Sequence, residues 1–204
     1  MKKLITISRE YGSGGRIVGK LLAEKLELPF YDKAIIDIEV EKRGFSSKIV
    51  ENAELRAKSS FSYSLASAIN FGDGVTSNPL SINEKIFLAQ FDVIKSIGDL
   101  GEGVIVGRCA DYILKGIEGV TNVFIYADIE DRIRRSIEIY GDDPQKVKEI
   151  VATYDKARQN YYNYHTSQKW GDYKNFNLAI NSSYIGEKEI VSIIIDYLKM
   201  RSYK

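Results

Sequence analysis

KLITISREYGSGGRIVGKLLAEKL, residues 3–26, is the stretch on which the fold turns. Lys3 to Ile7 is rich in apolar and β-branched residues and runs into Ser8 and a glycine cluster, the pattern of a buried strand. From Arg16 to Leu26 the apolar Ile17, Leu21, Leu22 and Leu26 recur at helical spacing, with Ala23 and Lys25 as good helix formers. Strand, glycine turn and helix in that order make an anion site, because unpartnered backbone N–H groups and the helix dipole converge on one point. Phosphate is the natural guest, and the functional loop is expected over 9–16. A literal Gly14-x-x-x-x-Gly19-Lys20 match to the start of a phosphate-loop signature is a coincidence of spacing. Leu21 follows where Ser or Thr is required, and Lys20 lies more than a turn inside the helix, pointing away from the loop.

Outward from this stretch, a short strand at Phe30-Tyr31 precedes Asp32, which opens a helix through about Lys42. Between about 46 and 99 no strand pattern occurs. FSYSLASAIN and SINEKIFLAQFDVIKSI place apolar residues three and four apart, interrupted by Gly72-Asp73-Gly74 and Asn78-Pro79, with Ser81 and Glu84 as a capping box. GVIVG at 103–107 and NVFIYA at 122–127 are predicted parallel strands, and Asp128 is placed to cap an Arg-rich helix. A polar helix is expected from Pro144 to about Tyr164, a last strand at FNLAIN (176–181), and a closing amphipathic helix at GEKEIVSIIIDYLKM. Strands separated by helices in this way predict one α/β domain over 1–204, with a mostly parallel sheet and right-handed crossovers.

Composition narrows the function classes. Hydrophobic residues at 44% and charged residues at 28% suit a globular chain of 204 residues with a large core. Lys+Arg and Asp+Glu number 29 and 28, so no global basic field exists to draw the chain onto nucleic acid, and phosphate chemistry must come from local clusters. The lone Cys109 excludes an internal disulfide, and no Cys/His metal cluster is present. MKKLITI is too short an apolar run for a signal peptide or membrane span, so a cytoplasmic location without a membrane partner is expected. The helices around 61–71 and 82–97 leave room for a homodimer interface.

The opening TISREYGSGGR…LLAEKL…PFYDK, then Val106-Gly107-Arg108-Cys109-Ala110-Asp111, VFIYAD followed by Arg132, Arg134 and Arg135, DKARQNYYNYHT…KWGD and AINSS occur in the order that resembles the cytidylate-kinase-like family of P-loop proteins. The resemblance covers nearly the whole chain. It implies a three-layer P-loop kinase-like fold: a five-stranded, mostly parallel sheet flanked by helices, with a helical acceptor-binding insertion at 46–99 and a short lid region at 128–172. The implied activity is ATP-dependent phosphoryl transfer to a nucleoside monophosphate, cytidylate by resemblance, with Mg2+ carried by the nucleotide. A small-molecule nucleotide is then the partner. Alternatives are a nucleotide-binding or sensing module without turnover, and a kinase of another small acceptor; Phe61, Tyr63 and Phe71 in the insertion do not spell out cytosine.

Placing the chain on that family through LLAEKL sets Gly15 where the phosphate-loop lysine is expected and Ile17 where the magnesium-binding hydroxyl is expected. Arg16 or Arg9 then stands in for the lysine, and Ser13 or Ser8 for the hydroxyl, with Gly12, Ser13, Gly14 and Gly15 cradling donor phosphate. The plainer reading makes Arg9 and Arg16 surface residues around a structural turn. Asp32 either orients the acceptor or caps the next helix. The resemblance makes Arg108 an acceptor-phosphate ligand with Asp111 beside it; otherwise Arg108 pairs with Asp111 or Asp128. Arg132, Arg135 and Arg158 are the lid arginines for transition-state charge, Asp155 is placed to hold Arg158, and Ser182 falls near the adenine edge. Glu130, Asp131 and Glu138 offer the lid arginines an ordinary solvated pairing instead. The aromatic patch Tyr154, Tyr161, Tyr162, Tyr164, His165 and Trp170 is expected to pack the lid helix, and His165 has no partners for a triad.

Overall fold

Leu4, Ile5 and Ile7 are completely buried, and the strand that carries them, β1 (Lys3–Arg9), is the middle of a five-stranded all-parallel sheet ordered β2-β3-β1-β4-β5. In the computed structural model, residues 3–42, Gly44 and 82–201 are described. Along the chain, β1 leads to α1 (Gly15–Leu26), β2 (Phe30–Tyr31), α2 (Lys33–Lys42), α3 (Ile82–Leu100), β3 (Glu102–Val106) and the short α4 (Ala110–Ile113). Then come β4 (Thr121–Tyr126), α5 (Ile129–Tyr140), α6 (Val147–Thr166), a 3-10 turn at Tyr173–Asn175, β5 (Leu178–Asn181) and α7 (Glu187–Arg201). The predicted helices at 46–81, the Gly72-Asp73-Gly74 turn and the Ser81 half of the capping box lie outside the described residues.

Alternation along β1 sends Ile5 and Ile7 to one face and Leu4 to the other, and each face acquires its own core. On one side Val18, Leu22 and Ala23 of α1 meet Ile190, Val191 and Ile194 of α7. On the other, Ile36 and Val40 of α2, Val93, Ile94 and Ile97 of α3 and Tyr162 of α6 surround Leu4 and Ile105. These are the three layers of the expected architecture. The segment expected to form a lid packs into the body, because Tyr162 of the 20-residue α6 is a core residue.

One register detail positions the site. β1 pairs with β3 only through Ile7↔Val106 but with β4 on to Arg9↔Ile125, so β1 extends to Arg9 rather than ending at Ile7. On the β3 side, Gly107 donates its N–H to the Ile7 carbonyl and turns away with φ 82, which ends β3 at Val106. Arg9 therefore emerges above the end of β3, at the carboxyl edge where open parallel sheets take ligands.

Candidate functional site

Gly12 and Gly14 both hold φ 77, a conformation only glycine adopts at little cost, and they turn the chain from β1 into α1. A Cβ on Gly12 would stand 2.5 Å from the Arg132 carbonyl, and one on Gly15 2.6 Å from Arg9 Cβ. The loop is braced from inside: Ser13 Oγ donates to the Glu10 carbonyl at 2.9 Å, and Ser182 Oγ donates to the Ser13 carbonyl at 2.7 Å. No side chain caps α1, whose first backbone bond is Val18 N–H to the Gly14 carbonyl. The N–H groups of Gly14, Gly15, Arg16 and Ile17 have no acceptor among the described residues, which is the donor array an anion needs.

Ser13 and Ser182 are thus loop supports, both buried, rather than groups facing a ligand. Lys20 points outward and pairs with Glu24, as its place inside α1 predicts. Arg16 is exposed, and its Nε and Nη2 both donate to Asp32 Oδ2 at 2.9 and 2.6 Å. Asp32 caps α2 as the plainer expectation had it, accepting from Ile35 N–H, and its other oxygen grips Arg16. Burial alone would raise its pKa, but the Arg16 hydrogen bond and the Ile35 amide hold the carboxyl below its ordinary value.

Arg108 follows Gly107 with φ 56, a strained left-handed conformation that aims its guanidinium back toward α2. Its carboxylate partner is Asp37, at 3.2 and 3.3 Å, in place of the expected Asp111 or Asp128, and it lies 5.8 Å from the Tyr161 ring centroid. Asp111 is buried away from this exchange and accepts the Tyr162 hydroxyl at 2.6 Å; burial raises its pKa against that bond. Asp128 occupies the first cap position of α5, but its carboxylate accepts from Asn181 Nδ2 and Tyr184 OH and does not cap the helix.

The arginines expected in a lid divide by their contacts. Arg132, only 7% exposed, donates from Nε to the Tyr11 carbonyl at 2.8 Å and pairs with Glu10 and, closely, with Asp155. This commitment makes it a tie between the loop and α6, not a free charge for phosphate. Arg135 donates to the Gly12 carbonyl at 2.8 Å and lies 3.3 Å from Glu187, alongside the space a Gly14 side chain would fill. Arg134 is exposed and pairs with Asp131. Arg158 donates to the Arg9 carbonyl at 3.2 Å, lies over Tyr11, and keeps Asp155 at 3.9 Å, the partner expected for it. Arg158 and Arg108 both stand close enough to Arg9 to repel its charge.

Asp37 escaped the sequence reading. It is buried in α2 and collects Lys33, Arg108 and Gln90 Nε2, while Tyr161 OH donates to Gln90 Oε1 at 2.7 Å. The available signal was an acid one residue after Ile36, on the flank of the apolar face of α2. Tyr11 was also missed: it stacks on Tyr154 at 4.4 Å, and its backbone N–H is held by Asp155. His165 stacks on Phe87 at 3.8 Å, and burial lowers its pKa to about 4, so it is a neutral packing residue. Cys109 is buried, and that burial raises its thiol pKa.

The loop fits a nucleotide phosphate on the strength of its unpartnered amides. A protein-held magnesium does not fit: Ser13 Oγ is turned inward, Ile17 stands at the hydroxyl position, and both Asp32 oxygens are engaged. No group of three potential metal ligands occurs among the described residues, and none of their helices is long and apolar enough to cross a membrane.

Comparison with solved structures places the chain on an uncharacterized protein of Eubacterium ventriosum at TM-score 0.71 and 27% identity, covering 97% of this chain and 99% of that one. A shikimate kinase of Bacteroides thetaiotaomicron matches at TM-score 0.57 and 14% identity over 98% and 99% of the two chains. A sugar kinase of Janibacter sp. HTCC2649 matches at TM-score 0.54 and 12% identity over 98% and 95%. At such identities these two kinases report the P-loop kinase fold alone. No curated protein matches the sequence at a significant level. The sequence does match, over residues 4–184, the profile described as the cytidylate kinase-like family, and the chain belongs to that family.

Proposed function

We propose that this protein is an ATP-dependent phosphotransferase whose acceptor is a nucleoside monophosphate, with cytidylate the first candidate. The observation that carries the reading is the meeting of two phosphate-ready features at one sheet edge: the unpartnered amides opening α1, and Arg108 at the end of β3, which with Arg158 of α6 stands near Arg9. Family membership supports the reaction class.

In the proposed reaction an acceptor phosphate oxygen attacks the γ-phosphorus of ATP as the bond to the β–γ bridging oxygen breaks. ADP leaves with the electron pair, and the acceptor becomes a diphosphate. Such transfers pass through a loose transition state, so the protein contributes position and charge. The loop amides hold the donor phosphates. Arg108, oriented by Asp37 and backed by Tyr161, receives the acceptor phosphate; Arg158 and Arg135 answer the charge that builds on the transferring group. Asp32 orients the acceptor side while holding Arg16. Magnesium enters on the nucleotide.

The test is ADP formation by the pure protein with MgATP and a panel of nucleoside monophosphates, shikimate and sugars. Selective diphosphate formation from cytidylate is expected. ATP binding without any product supports the non-catalytic module instead, and turnover only with a non-nucleotide acceptor overturns the acceptor assignment. Arg108→Ala is expected to raise the KM for the monophosphate about 10- to 100-fold, the loss of a charged hydrogen bond, with a smaller change in kcat. An unchanged KM makes Arg108 structural.

A further inference from the structure

We infer that Arg9, delivered from the end of the central strand, is the phosphate-binding cation that replaces the missing phosphate-loop lysine, and that Arg16 is not. The inference rests on the nucleotide-binding reading above and deepens it.

Three independent features single out Arg9. The register carries β1 past the end of β3, so residue 9 stands on the carboxyl edge beside the loop. Gly107 then makes room: a Cβ there would stand 2.1 Å from Arg9 Nη1, so the guanidinium lies across the bare backbone of the β3 turn. The same side chain touches the bend into α1, since a Cβ on Gly15 would collide with Arg9 Cβ. Glycine at the lysine position is thus the complement of arginine at position 9.

Charge pairing separates Arg9 from its neighbours. Arg16 is tied to Asp32, Arg132 to Glu10 and Asp155, Arg134 to Asp131, Arg135 to Glu187, Arg108 to Asp37 and Arg158 to Asp155. Among the described residues no carboxylate forms a salt bridge with Arg9, whose strongest charged neighbours are Arg158 and Arg108. Burial, reinforced by those two cations, pulls its pKa well below the usual guanidinium value. A half-buried arginine with cations for neighbours is relieved by an anion, and a planar guanidinium can hold two phosphate oxygens at once where lysine offers a point charge.

The experiment measures calorimetric affinity for MgATP and for adenosine, together with melting temperature, in wild type, Arg9→Ala, Arg9→Gln and Arg134→Ala. Either Arg9 variant is expected to lose MgATP affinity by about 10- to 100-fold, to keep its adenosine affinity, and to melt no lower than wild type, because a repelled charge has been removed. R134A, which removes an exposed and paired cation, keeps wild-type affinity. Guanidinium added at low millimolar concentration is expected to restore MgATP binding to R9A. Unchanged MgATP affinity in R9A and R9Q overturns the role of Arg9 while leaving the kinase reading intact. Equal loss in R134A reduces the effect to general charge, and a lower melting temperature with no guanidinium rescue makes Arg9 structural. Wild-type protein that binds no ATP overturns the nucleotide-binding reading itself.

Discussion

His165 is enclosed by Phe87, Tyr161 and Tyr164, with Glu84 as its nearby acid. Burial holds its pKa near 4 against 6.5 for an ordinary histidine, the attraction of Glu84 only partly opposing this. Between those values the unfolded chain binds the proton and the fold does not, so this group's contribution to stability is intact above pH 6.5 and falls away as pH drops toward 4. The loss amounts to about 3 kcal/mol. His165→Phe is expected to flatten that part of the stability–pH curve, read by chemical denaturation at pH 7, 5.5 and 4.5; an unaltered slope refutes the assignment. Asp37 is the other residue whose weight only contacts reveal. Asp37→Asn leaves Arg108 with a weaker anchor and is expected to cost about 1–3 kcal/mol of stability and to raise the monophosphate KM. A change in kcat with KM untouched would contradict its place as the residue that positions Arg108.

At the scale of elements, α1 sits against the sheet through its glycines. A Cβ on Gly19 would stand 2.7 Å from Val106 Cγ2 and 3.3 Å from Ile7 Cδ1, so close approach of helix and strand requires glycine there. The better helix propensity of alanine returns less than 1 kcal/mol, against about 1–3 kcal/mol for overpacking. Gly19→Ala is therefore expected to lower the melting temperature by several degrees, and a rise would show that the sheet yields easily. Helix periodicity reveals α1 from the chain alone, yet it gives Gly19 no packing role, because the strand side chains that crowd it are distant in sequence. The end of β1 was misjudged for a related reason. Whether Ser8 and Arg9 remain in a strand depends on β4 continuing beside them after β3 has turned away, and no window of the chain contains that pairing.

Across the whole molecule, Arg132 joins the first loop to the last third of the chain. It holds the Tyr11 carbonyl and Glu10 on one side and Asp155 of α6 on the other, while Asp155 also accepts the Tyr11 N–H. Arg132→Met would take the salt bridge from Glu10 and leave Asp155 only the more distant Arg158, and breaking a buried pair from one side costs about 3–5 kcal/mol. A fall of roughly 10 °C in melting temperature is expected for a chain of this size, with weaker MgATP binding because the loop loses its brace. A variant that melts like wild type would show the tie to be dispensable.

The sequence by itself determined the alternation of strands and helices, the anion-ready turn after β1, the exclusion of Lys20 and the family, because these rest on local periodicity, glycine chemistry and the order of motifs. Only the tertiary structure decided which charges are free to act. Asp32 meets Arg16, Asp37 meets Arg108, and Glu10 and Asp155 enclose Arg132 across long separations in the chain. A charged residue shows its type in the sequence, but whether its charge is already neutralised depends on what folding sets beside it, and that leaves Arg9 beside the loop without a salt bridge among the described residues.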